Sequence, residues 1–184
     1  MTPDDKLIEE DVSLMRRKAL TFDLPPDIKS LATTNPEVPR QFAAWLKTAR
    51  PEDLPPIEYG IVDPGDFAEF HRGIGRGKIV MSHLIRDAEP EARATALMHE
   101  VFHFWDMKIA KNPYQTESYG HTSAENRADR EYDPYLVTAH FWQHIRPEKR
   151  ISPLSSSLDR LPTEGDEVRR KVDALMRHKE KAGR

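Results

Sequence analysis

Residues 89–110, EPEARATALMHEVFHFWDMKIA, constrain this chain more than any other stretch. Glu89-Pro90-Glu91 suits the start of a helix, because proline is tolerated in the first turn and acids there complement the helix dipole. Asn112-Pro113 ends it. Leu97, Met98, Val101, Phe102, Phe104 and Trp105 surround the polar positions His99, Glu100 and His103. A helix apolar on all sides belongs in a core. Two imidazoles and a carboxylate buried there need partners, because unpaired burial is costly.

His99-Glu100-Val101-Phe102-His103 reads H-E-x-x-H. Positions i and i+4 lie on one face of a helix, one turn apart. Two imidazoles so placed can bind one Zn²⁺ at about 2.0–2.1 Å each. Glu100 sits one residue on from the first histidine. There it can take a proton from a water that the metal has acidified, without being a ligand itself. Without a metal, the same pattern describes two core histidines on an amphipathic helix. The chain has no cysteine, so any metal site must be built from His, Asp and Glu.

A third protein ligand is expected. Downstream lies Thr122-Ser-Ala-Glu125-Asn-Arg-Ala-Asp129, in which Glu125 and Asp129 share a helix face. Glu125 can bind the metal, and Asp129 can accept a hydrogen bond from the far nitrogen of a ligand histidine. Thr122-x-x-Glu125 also matches a capping box, which gives Glu125 a purely structural alternative. Asp129 and Glu131 also fit ordinary solvated charges.

An H-E-x-x-H followed by a helical E-x-x-x-D resembles the gluzincin branch of the zincin metallopeptidases, the thermolysin-like group. In length the chain is similar to its minimal members, the minigluzincins. The resemblance spans about residues 56–145 and rests on those two motifs. It implies that His99, His103 and Glu125 bind zinc, that Glu100 is base and acid in peptide hydrolysis, and that Asp129 supports a ligand histidine. It also implies that the strand before the active-site helix, about 78–83, pairs with an extended peptide or protein substrate. The metzincin branch needs a glycine and a third histidine where this chain has Asp106 and Ile109. The competing reading is a zinc-bearing regulatory or binding module of the same fold, with little or no hydrolysis.

The reaction also needs a donor to the developing oxyanion. Tyr132 falls on the Glu125/Asp129 face if that helix stays regular, and His140 begins a second i, i+4 histidine pair with His144. Tyr135 and His121 are further candidates.

The expected fold is α+β and zincin-like: a small antiparallel or mixed sheet packed on the active-site helix, with extra helices at both ends. Residues 1–55 read as helical segments over 4–20 and 38–49, packed on a core formed by residues 56–146. Residues 1–50 could alternatively cover the cleft as a removable inhibitory segment. IEYGIV (57–62) and residues 78–83 read as strands. The glycines at 73, 75 and 77 read as a hairpin turn, since a strand follows them and a phosphate loop needs a helix there. Short helices are expected up to Tyr132 and over 135–145, separated at Asp133-Pro134. Residues 147–184 read as a Pro/Ser-rich linker and an amphipathic helix over 165–181.

With 32% charged residues and a mean hydropathy of -0.73, the composition is that of a water-soluble chain. No apolar run reaches the roughly 18 residues of a membrane span, and the charged first residues lack the pattern of a secretory signal. The expectation is a cytoplasmic location, with no membrane partner. A net charge of -3 argues against a general nucleic-acid binder. Oligomeric state is open.

Overall fold

Three short segments form strands, β1 (Ile57–Gly60), β2 (Ala68–His71) and β3 (Lys78–Ser82), of which β1 and β3 carry β-branched residues. The computed structural model describes residues 1–111 and 124–182, with the main chain alone for 124–126. The sheet order is β1-β3-β2. β3 runs parallel to β1, with Ile57 opposite Ile79, and antiparallel to β2, with Ala68 opposite Met81. Ile79, Val80, Met81 and Ser82 are all buried, so β3 reads as an unbroken run and not an alternating one. The β2–β3 hairpin depends on Gly77 at φ +73°, where a Cβ would come within 2.4 Å of the His71 carbonyl oxygen.

This order corrects one expectation. The strand at 78–83 is central, with β1 on one side and β2 on the other, so it has no edge to offer a peptide. The edge strand packed against the H-E-x-x-H helix is β2. Its residues, Ala68-Glu-Phe-His71, include no β-branched side chain, so nothing in them marks a strand.

The helices are α1 (Pro3–Ala19), α2 (Val38–Thr48), α3 (Pro90–Phe104), α4 (Ala124–Ile145), α5 (Pro153–Leu158) and α6 (Gly165–Ala182). Among the described residues the fold is therefore α+β, a three-stranded mixed sheet with six α-helices. None of these helices is long and apolar enough to cross a membrane. α1 opens with a Thr2/Asp5 capping box and buries Val12, Leu14, Met15 and Ala19. It packs on α3, where buried Asp11 meets Nε of Arg93 at 3.0 Å. α3 continues into a π-helical turn, Trp105–Ile109. Phe42 of α2 packs on Phe102 and Trp105, with ring centroids 4.6 and 5.5 Å apart.

α4 differs from expectation, because it runs unbroken through Pro134. Proline removes one helical hydrogen bond and costs about 3 kcal/mol in a helix interior. Packing outweighs that here: Leu136, Val137, Phe141 and Trp142 are buried. Asp133 also pins the helix, accepting from Ser30 Oγ and Leu31 N–H at 2.6 Å each. α4 thus shows two working faces. Ala128, Tyr132 and Leu136 pack on Val168, Val172 and Met176 of α6. Glu131, Tyr135 and Thr138 face the cleft beside α3.

Candidate metal centre

His99 and His103 project from α3 one turn apart, with 14% of each side chain exposed. Their Nε2 atoms are 3.3 Å apart. Oε2 of Glu131, from α4, lies 3.2 Å from Nε2 of His99 and 3.3 Å from Nε2 of His103. Three donor atoms on one tetrahedral zinc, each bonded at about 2.0–2.1 Å, stand about 3.3–3.4 Å from one another. The triangle has that size. Its donor set, two imidazoles and a carboxylate, is one that zinc uses when a position is left open for water or substrate. The residues present therefore fit the metal.

The tautomer of His99 follows from its other nitrogen. Oγ1 of Thr138 donates to the Pro134 carbonyl at 2.6 Å. That hydroxyl is left as an acceptor, so Nδ1–H of His99 donates to it at 3.0 Å. The lone pair of Nε2 then faces His103 and Glu131.

Burial opposes charge on His103, yet the neighbouring Glu131 carboxylate prevails and lifts the ring to about 9. Burial would likewise raise Glu131, but the two imidazoles hold it well below the usual carboxylate range. Glu100 is 8% exposed, and burial pushes its carboxyl up. The histidines and a hydrogen bond from the Phe70 backbone N–H of β2 partly offset this. Tyr135 stacks edge-on against His99 with centroids 4.9 Å apart. Burial and nearby carboxylates raise its phenol, which stays a donor at neutral pH.

These groups line a cleft of about 1040 Å³ between α3, α4, β2 and the helices α5 and α6. A second carboxylate group, Asp63, Asp66 and Glu69, stands at its β1–β2 end. Two of its three carboxylates, Asp66 and Glu69, are engaged. Asp66 accepts from Lys179 of α6 at 2.6 and 2.8 Å, and Glu69 accepts from the Asp63 N–H and faces His71 at 2.9 Å.

The structure thus brings His99, Glu100 and His103 together, as the motif demands. The side chain of Glu125, and residues Thr122 and His121, lie outside the described residues. Asp129 is on the exposed side of α4. At His99 the far nitrogen is met by Thr138. The Tyr132 hydroxyl is directed away from the histidines, donating to Asp173 of α6 at 2.5 Å. His140 sits 3.2 Å from the Thr163 carbonyl, and burial lowers its pKa. His144 pairs with Thr21 at 3.1 Å.

Glu131, which the sequence allows as an ordinary solvated charge, Thr138 and β2 are not singled out there. The signal for the first two is a stripe, Glu131-Tyr135-Thr138, at helical spacing. It becomes legible only if the helix is carried through Pro134.

Compared with family models, curated proteins and solved structures, the chain matches none.

Proposed function

We propose that this chain is a zinc-dependent peptidase of zincin-like type, with His99, His103 and Glu131 as metal ligands and Glu100 as general base. The observation that carries this reading is the triangle of His99, His103 and Glu131 donor atoms, with sides of 3.2–3.3 Å, beside a buried glutamate on the same helix.

A bound Zn²⁺ would acidify water and polarise a carbonyl. The chain's own residues supply the remainder. Glu100 takes a proton from the attacking water as its oxygen bonds to the scissile carbonyl carbon. It then delivers that proton to the leaving amine as the C–N bond breaks. Tyr135, protonated and packed on His99, is a donor available to the developing oxyanion. β2 offers backbone N–H and C=O groups to an extended peptide, as an open sheet edge does.

A zinc-bearing binding module is the competing reading. Such a module has no use for a carboxylate buried at the metal, and burying Glu100 there is unfavourable. The position of Glu100 therefore supports hydrolysis. The deciding experiment pairs metal analysis with peptide hydrolysis, using wild type and Glu100→Gln. One zinc per chain in both proteins, with cleavage only in wild type, upholds the proposal. Equal cleavage by the variant removes the mechanism, and absence of metal from both removes the site.

A further inference from the structure

We infer that the cleft selects an extended segment with an apolar side chain flanked by carboxylates, and that the helical wall facing β2 sets this preference. The inference deepens the peptidase reading and rests on it for the identity of the substrate as a peptide.

α6 divides its surface by helical spacing. Val168, Val172 and Met176 pack on α4. Lys171, Leu175 and Lys179, spaced i, i+4, i+8, form an adjoining stripe that lines the cleft. Lys179 is held by Asp66. Lys171 is not, and the same holds for two other cations of the cleft, Arg127 on α4 and Arg160 just after α5. Among the described residues none of these three faces a carboxylate. Arg160 donates to a neutral partner, Ser157 Oγ, at 3.3 Å.

Of the five acids that line the cleft, Glu100 is buried on α3 and Asp63 stands at the β1–β2 end. Glu131 meets the histidines, Asp66 meets Lys179, and Glu69 meets His71. On the wall formed by α4, α5 and α6, the charge that meets no counter-charge among the described residues is therefore positive: Lys171, Arg127 and Arg160. Leu161 and Leu175, both partly exposed, give the same wall an apolar surface. A ligand complementary to it carries an apolar group for the leucines and carboxylates for Lys171, Arg127 and Arg160. Such attraction weakens with salt, because the screening length is about 8 Å at physiological ionic strength.

The test uses the zinc-loaded full chain and three fluorogenic peptides with one apolar centre and Glu, Gln or Lys flanks. The readout is the ratio of kcat/KM for Glu-flanked over Gln-flanked peptide. The expected ratio is about 10 at low salt, falling several-fold in 0.5 M salt, with the Lys-flanked peptide the poorest. Lys171→Glu with Arg160→Glu inverts the ratio, and the milder Lys171→Gln with Arg160→Gln brings it towards one. A ratio near one at all salt concentrations overturns the inference and leaves the peptidase reading standing. If no peptide is cleaved, the same peptides are tested for binding to zinc-loaded Glu100→Gln protein by fluorescence anisotropy. Tighter binding of the Glu-flanked peptide then upholds the charge preference while the peptidase reading falls. Equal binding of all three overturns it.

Discussion

Oε2 of Glu131 stands 3.2 Å from Nε2 of His99, although the two residues are 32 positions apart and on different helices. If this contact marks a shared metal, Glu131→Ala lowers zinc affinity by more than the roughly 10–100-fold typical of losing an outer hydrogen-bond partner. Glu125→Ala has the smaller effect. Competition against a chelator of known affinity measures both. The reverse order of effects would give the third ligand position to Glu125.

Thr138 accepts the Nδ1 proton of His99 because its own proton is committed to the Pro134 carbonyl. Thr138→Val removes that acceptor with little change of volume. The expected result is a drop of roughly 10–100-fold in zinc affinity, rescued by Thr138→Ser. An unchanged affinity in the valine variant would show that the ring needs no such support.

Asp11 and Arg93 form a buried pair, with 2% and 5% of their side chains exposed, that ties α1 to α3, the helix of the candidate metal centre. Asp11→Ala leaves Arg93 without its counter-charge, and breaking a buried pair costs about 3–5 kcal/mol. Urea denaturation should show that loss. Deletion of residues 1–20 should leave no cooperative unfolding transition. A folded and more active truncated protein would instead identify α1 as an inhibitory segment.

Glu89 opens α3 but bonds to the start of α5. Burial alone would raise its pKa, yet donors from Ile151, Ser152 and Ser155 outweigh that and hold it at about 2. A carboxyl depressed on folding stabilises fully above its unfolded value, near 4.5. That stabilisation is lost as pH falls from 4.5 towards 2. Glu89→Gln should therefore lower stability at pH 7 by about 1–2 kcal/mol, allowing for solvent screening, and by less near pH 2. Thermal melts across that pH range check the sign. A constant difference at every pH would assign the effect to packing.

Local physics made much of the fold legible. The spacing of Leu7, Val12 and Met15, the acids at one end and the bases at the other predicted α1. The Glu89-Pro90 start and apolar surroundings predicted α3. The glycines at 73, 75 and 77 predicted the hairpin, and all three adopt positive φ. The H-E-x-x-H pair was legible for the same reason, since i and i+4 share a helix face whatever surrounds it.

Contacts between distant segments were not legible. The break expected at Pro134 fails because the main-chain penalty is local, while the packing that overrides it comes from α3, α6 and Asp133's bonds to Ser30 and Leu31. With the helix broken there, Glu131, Tyr135 and Thr138 could not be seen as one stripe. The order β1-β3-β2 was hidden too, because strand pairing depends on hydrogen bonds between segments and not on the pattern within any one. The sequence by itself determined which helix carries two imidazoles and a carboxylate. Only the tertiary structure decided which carboxylate from α4 meets them and which strand borders them. Helical register is a property of neighbours in the chain, whereas the approach of α4 and β2 to α3 is set by burial of surfaces far apart in it.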